Sequence, residues 1–173
     1  EGTGSIVFDH MAQTAYACLS PRTDIDIFNK YCQSIGYKSI TFHSYDTKNT
    51  LIYHTNVVMC VGMGFVVIGL NTVTDTEEKE KLIKSFNDSN LEIIALNDDQ
   101  LNTNFAGNMI QLENKTGTKY LVMSQRAYKS LDSNQLSQIK KYTEILPVSI
   151  DIIEEVGGGS ARCMIAEIFL AKK

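Results

Sequence analysis

Short runs of β-branched and aromatic residues, each closed by Gly, Asn or Asp, recur along the chain and predict strands. They include "SIVFDH", "KSITFHSYD", "NVVMCVG", "LEIIALND", "NMIQLENKTG" and "ILPVSID". Between them lie three stretches whose apolar residues return at helical spacing. In the first, Ile25, Phe28, Cys32 and Ile35 share one face, with Thr23 or Asp24 as cap. In the second, Leu82, Ile83 and Phe86 form the stripe, and the acidic start "TEEKEK" suits the positive end of a helix dipole. In the third, Leu136, Ile139 and Tyr142 or Thr143 face inward. "VGMG" and "NKTG" are turn signals between paired strands.

Laid over one another, these segments repeat as strand, strand, helix, strand with a period of about 50 residues, in the range of propellers and other arrays. The repeat predicts units at roughly 1–50, 51–100 and 101–152, with 153–173 as the opening strands of another, all in a single partial domain, 1–173. Three units and an opening do not close a ring, and open strand edges need a cover. The expectation is that a missing N-terminal segment or a complementary chain supplies the remainder. The abrupt start at "EGTGS" fits a piece of a longer protein.

Composition narrows the function classes. The chain has 173 residues, 43 % of them apolar and 21 % charged, with a net charge of −4. Lys and Arg are scattered rather than striped, which argues against a nucleic-acid surface. No apolar run approaches the ~18 residues of a membrane span, and the reading is a cytoplasmic chain without a membrane partner. Of the four cysteines, Cys18, Cys32 and Cys60 stand in apolar surroundings and read as buried structural thiols. Cys163 differs, following a glycine run and Arg162.

Polar, reactive residues recur just ahead of the first strand of each unit: Glu1, His54, Asn108 after Gly107, and Cys163 after "GGGSAR". Symmetric units would gather those positions near one axis. From the residues alone, the glycine run is either a loop that presents the thiol or a plain turn before a strand. Cys163 is likewise either a nucleophile or a core thiol. His10 and His43 read as strand-end residues, and His54 opens an apolar strand. No His or Cys cluster has metal-ligand spacing, so no metal is expected. No GK[ST] follows the glycines and no GxSxG elbow is present. Asp98, Asp99, Glu154 and Glu155 read as solvated turns, and Asn108 either lines a pocket or caps a turn.

Together, "EGTGSIVFDH", "CLSPRT", "YHTNVVMC", "FAGNM", "VMSQRAY" and "GGGSARCMIAEIFL" resemble the amidinotransferase, or arginine-deiminase-like, superfamily, most of all its citrulline-utilisation hydrolase branch. The resemblance spans essentially the whole chain, and "YHTN" followed by "GGGSARCM" is its specific part. It implies an α/β fold, a five-bladed propeller (pentein) of ββαβ units around a central pocket. This chain would supply about three blades plus the start of another. It places the family's nucleophile on Cys163, its acid/base on His54, its substrate-orienting acid on Glu1 and its carboxylate-binding arginine on Arg22. Asn56 and Asn108 would complete the substrate contacts. Many members have Asp where this chain has Asn56, and Gly-Asp after the EG pair, where the run here is Thr3, Gly4 and Ser5. One carboxylate fewer makes a neutral ureido group more acceptable than a guanidinium cation.

The resemblance implies hydrolysis of a C–N bond in a small guanidino or ureido compound. Cys163 attacks the central carbon, His54 protonates the departing nitrogen, and His54 then activates water against the S-linked intermediate. No metal or organic cofactor takes part. Homo-oligomerisation is compatible with this reading. The alternatives are amidino transfer, in which an amine rather than water resolves the intermediate, and a non-catalytic binding protein on the same propeller.

Overall fold

The computed structural model describes residues 2–167. The strand–strand–helix–strand repeat is present three times. In the first unit, strands β1 (Val7–Asp9) and β2 (Thr14–Cys18) pair antiparallel, helix α1 (Ile25–Ile35) crosses over, and β3 (Lys38–Phe42) returns parallel to β2. A one-turn helix, α2 (Thr55–Val58), leads into the second unit of β4 (Met59–Gly62), β5 (Phe65–Ile68), α3 (Thr76–Asp88) and β6 (Glu92–Ala95). After α4 (Asp98–Asn102) come β7 (Ile110–Glu113), β8 (Lys119–Ser124), the short α5 (Gln125–Ser130), α6 (Ser133–Lys140) and β9 (Glu144–Val148). Each three-stranded sheet has its second strand in the middle, and the first strands β1, β4 and β7 lie side by side. The architecture is thus a mixed α/β array of small sheets. Among the described residues the sheets stay separate and no ring closes.

Local chemistry explains the helices. Asp24, Asp75 and Asp132 each cap one, accepting backbone N–H groups of the first turn, so of the two candidates for the first cap Asp24 takes the role. Gly36 ends α1 in the left-handed conformation. Phe28 and Cys32 of α1 are buried against Ala15 and Ala17, as the helical spacing predicts, whereas Ile25 and Ile35 lie at the margins and are partly exposed. Helices and sheets then alternate as layers. Tyr16 of β2 stacks near Phe86 of α3 (centroids 5.3 Å apart) and bonds Ser85 (2.9 Å). Tyr142, just after α6, stacks on Phe65 of β5 at 5.4 Å.

Equivalent helix positions face the preceding unit. Three residues past the cap, Glu78 of α3 accepts from His43 N (2.6 Å) and contacts its Nδ1 (2.8 Å), both belonging to the first unit. Gln135 of α6 donates to Ala95 O of the second (2.7 Å) and pairs with Gln100. Seven past the cap, Leu82 and Ile139 are fully buried (0 % exposed). Burying a side chain of that size stabilises by about 1.5–3 kcal/mol. In α1 the same places hold Ile27 and Tyr31, which are 70 % and 45 % exposed.

Two expectations are corrected. Residues 153–173 do not open as strands where they are described. Helix α7 (Asp151–Gly157) covers the first part and a 3₁₀ turn, Ala161–Met164, carries Cys163; residues 168–173 lie outside the described residues. Acid in its first turn favours the helix, which ends at the glycines, with Gly158 at φ +65°. His54 caps α2 instead of opening a strand, because one helical turn intervenes before β4.

Candidate active site

The first strands bring their leading segments together. Thr55 is buried at the start of α2; its hydroxyl accepts from Cys18 N (2.7 Å) and donates to Ser5 O. Asn56 N donates to Gly4 O (3.1 Å). These bonds press the segment from Gly4 to Ser5 against the His54 ring. A methyl at Gly4 would sit 2.7 Å from His54 Nδ1, so only glycine lets this backbone lie on the imidazole. The Tyr53 ring packs edge-on to His54 (4.7 Å), and Arg22 stacks over Tyr53 at 4.6 Å from its centroid.

On the other side, Gly107 passes so close to α2 that a Cβ there would lie 2.1 Å from Val57 O. That approach delivers Asn108, which is fully buried, to Asn56 O (Nδ2 donating, 2.9 Å). Asn108 Oδ1 accepts from Arg162 N (3.0 Å), and its Nδ2 also reaches Cys163 Sγ at 3.2 Å. Asn56 Nδ2 lies 3.6 Å from the same sulfur. Cys163, Asn108 and Asn56 therefore form one cluster, joined through Asn56 and Gly4 to His54.

Cys163 is the exposed cysteine, and Cys18, Cys32 and Cys60 are buried, as their surroundings predict. Burial pushes the Cys18 and Cys60 thiols up to about 12, and raises that of Cys32. Those three are protonated and inert at neutral pH.

The turn under Cys163 is held by groups to which the sequence assigned no role. Glu154, read as a solvated turn residue, is buried. Its Oε1 accepts from the Ser160 hydroxyl (2.6 Å), and its Oε2 lies 3.2 Å from Arg126 Nε, a charge contact off the N–H axis. Ser160 O in turn accepts from Cys163 N (3.0 Å). "VMSQRAY" and "GGGS" contained these partners, but nothing in their spacing joins them. Asp98 and Asp99 are exposed at the start of α4, as expected, and Glu155 is exposed too. Arg162 is buried, donating to Ile165 O (2.8 Å) and lying 3.5 Å from Glu167.

Glu1 lies outside the described residues. Arg22 borders a cavity of about 580 Å³ shared with Ser5, Phe8 and Ile27, which does not include Cys163 or His54. A second cavity, about 250 Å³, lies between β1, β4 and β7 beside Arg162. Among the described residues no group of His, Cys, Asp or Glu could hold a metal ion, and no helix is long and apolar enough to cross a membrane.

The family model for eukaryotic N,N-dimethylarginine dimethylhydrolase matches residues 1–170. The chain belongs to that family. This places it within the arginine-deiminase-like superfamily that its motifs resemble. No curated protein matches it in sequence. Solved structures share the fold at low identity. ArgZ, an arginine dihydrolase of the ornithine-ammonia cycle in cyanobacteria, superposes with a TM-score of 0.74 at 15 % identity over 99 % of this chain and 26 % of that one. The N-terminal domain of ArgZ bound to substrate gives 0.70 at 14 % identity, over 94 % and 54 %. SxtG, an amidinotransferase of saxitoxin biosynthesis in Microseira wollei, gives 0.61 at 14 % identity, over 92 % and 42 %. The chain of this dimethylarginine dimethylhydrolase family member thus spans about a quarter to a half of the structures it matches.

Proposed function

We propose that this chain carries the nucleophile and the acid/base of a hydrolase that opens a C–N bond in a small guanidino or ureido compound. The observation that supports this most is the convergence on Cys163: an exposed thiol whose sulfur meets two amide N–H groups, one from the residue two places after His54. Cys163 attacks the central carbon and gives an S-linked tetrahedral adduct. His54 protonates the leaving nitrogen, and ammonia or an amine departs. His54 then takes a proton from water as the water attacks the same carbon, and the thiolate is released. One imidazole can give a proton in the first step and take one in the second, and such acid–base help is worth about 10²–10⁴-fold.

Asn56 Oδ1 is buried with no hydrogen-bond partner among the described residues. A buried acceptor beside the sulfur favours a substrate that brings an N–H. An amide there, lacking a carboxylate's charge, accommodates a ureido group as well as a guanidinium, which keeps a citrulline-like substrate beside the methylated arginines of the family name. Arg22 binds an α-carboxylate, Glu1 orients the substrate nitrogens, and no cofactor is needed. Further ββαβ units complete a five-bladed propeller, from a preceding segment, a complementary chain or an oligomer.

The test is Cys163→Ala in the full-length protein, assayed on methylated arginine, arginine and citrulline. Turnover falls to background in the variant and survives in Cys60→Ala. Equal activity of the Cys163 variant and the unmutated protein rejects the reading. Amidino transfer, the chemistry of SxtG, is the second reading; it predicts product only when an acceptor amine is added.

A further inference from the structure

We infer that Asn108 is a catalytic residue of this reaction, donating a hydrogen bond to Cys163 Sγ that favours the thiolate. The inference rests on the reading of Cys163 as nucleophile and on the geometry around its sulfur. An amide can usually be turned end for end, but this one cannot. Arg162 N–H needs an acceptor, and the atom 3.0 Å away must therefore be Oδ1. Nδ2 then faces inward with two hydrogens. One goes to Asn56 O at 2.9 Å. The other has Cys163 Sγ, 3.2 Å away, as its partner. Asn108 is fully buried, so water does not compete for that hydrogen.

A fixed donor interacts more strongly with an anionic sulfur than with a thiol. An amide does not titrate near neutrality, so it does this whether or not His54 is protonated. The backbone enforces the placement: Gly107 sets the approach to α2, and Ser160 and Arg162 set the turn. Asn56 Nδ2, at 3.6 Å, is a longer second donor. The other charged or titratable groups around the turn are His54 at the head of α2, Arg162 with Glu167, and Glu154 on α7 with Arg126. All of them remain in an Asn108 variant, so the difference between the two proteins isolates the amide.

The experiment follows iodoacetamide alkylation of Cys163 against pH in the 173-residue chain and in Asn108→Ala, with Cys163→Ser as blank. Without the donor, the profile moves to higher pH and the neutral-pH rate falls about tenfold, the worth of a hydrogen bond to a charged group. The two profiles converge on one alkaline plateau. Superimposable profiles overturn the inference. Should Asn108→Ala fail to fold, the side-chain ¹⁵N–¹H signals of Asn108 in the unmutated chain decide. They move as pH is raised, and that movement ends once methyl methanethiosulfonate caps the sulfur. Signals indifferent to the cap overturn the inference. Neither readout requires turnover, so a protein with a shifted profile and no hydrolase activity would sink the proposed reaction and leave the thiolate donor standing.

Discussion

Cys60 and Cys163 carry the same side chain in opposite settings. Cys60 lies in β4 opposite Val67, inside the main hydrophobic core, and burial pushes its thiol up to about 12. Cys163 lies on a 3₁₀ turn, open to solvent on one side and met by amide N–H groups on the other. A thiol among hydrocarbon side chains has nothing to offset the loss of water around its anion. A thiol on a turn can be given directed donors and still admit a substrate. What separates the buried from the exposed cysteine here is the backbone that carries it.

Labelling gives the largest effect. At pH 8 a thiol titrating at about 12 is thiolate about once in 10⁴. Iodoacetamide therefore modifies Cys163 at least about 10³-fold faster than Cys60, as peptide mapping of the folded chain will show; equal labelling breaks the comparison. Gly107→Ala sharpens it. The added methyl meets a backbone carbonyl, which cannot swing aside, and overpacking costs about 3 kcal/mol. Denaturant unfolding measures that loss, and Cys163 alkylation should slow in the same variant while it remains folded. Cys60→Ala removes a sulfur from the core for about 1–2 kcal/mol, without changing the Cys163 labelling rate.

The smallest effect lies far from either cysteine. Hydrogen bonds from Lys141, Tyr142 and Gln138 hold Glu92, on β6, down to about 2. Its folded-state value is below the unfolded one, so its contribution is complete above about pH 4.3 and disappears as pH falls through about 2. Glu92→Gln should flatten the acid limb of the stability curve and cost less than about 1 kcal/mol at neutral pH, since the carboxylate remains partly solvated. Neither labelling rate should respond.

The repeat was legible because strand composition and Asp caps are local signals: Asp24, Asp75 and Asp132 announce their helices within a few residues. The motif order around His54, Asn56 and Cys163 was legible through resemblance, and the structure gathers the two Asn side chains on the thiol. The short helices α2 and α7 were not, because four and seven residues are too few to set a period. Glu154 was misread for a different reason. It is a charged residue beside a glycine run, and only the fold shows Ser160 bonding it and the Arg126 charge coming alongside. Asn108 was recognised as a candidate, but its orientation depends on a backbone N–H fifty-four residues away.

The helix position three residues past the cap has a thermal consequence. Glu78 and Gln135 clasp their neighbours through polar groups, and the charged joint at Glu78 answers to ionic strength. Ile27, the counterpart on α1, offers only hydrocarbon. Anything resting there is gripped by a contact that slackens on cooling and tightens with sulfate. Cold would release such an apolar contact before it released the polar joints at Glu78 and Gln135.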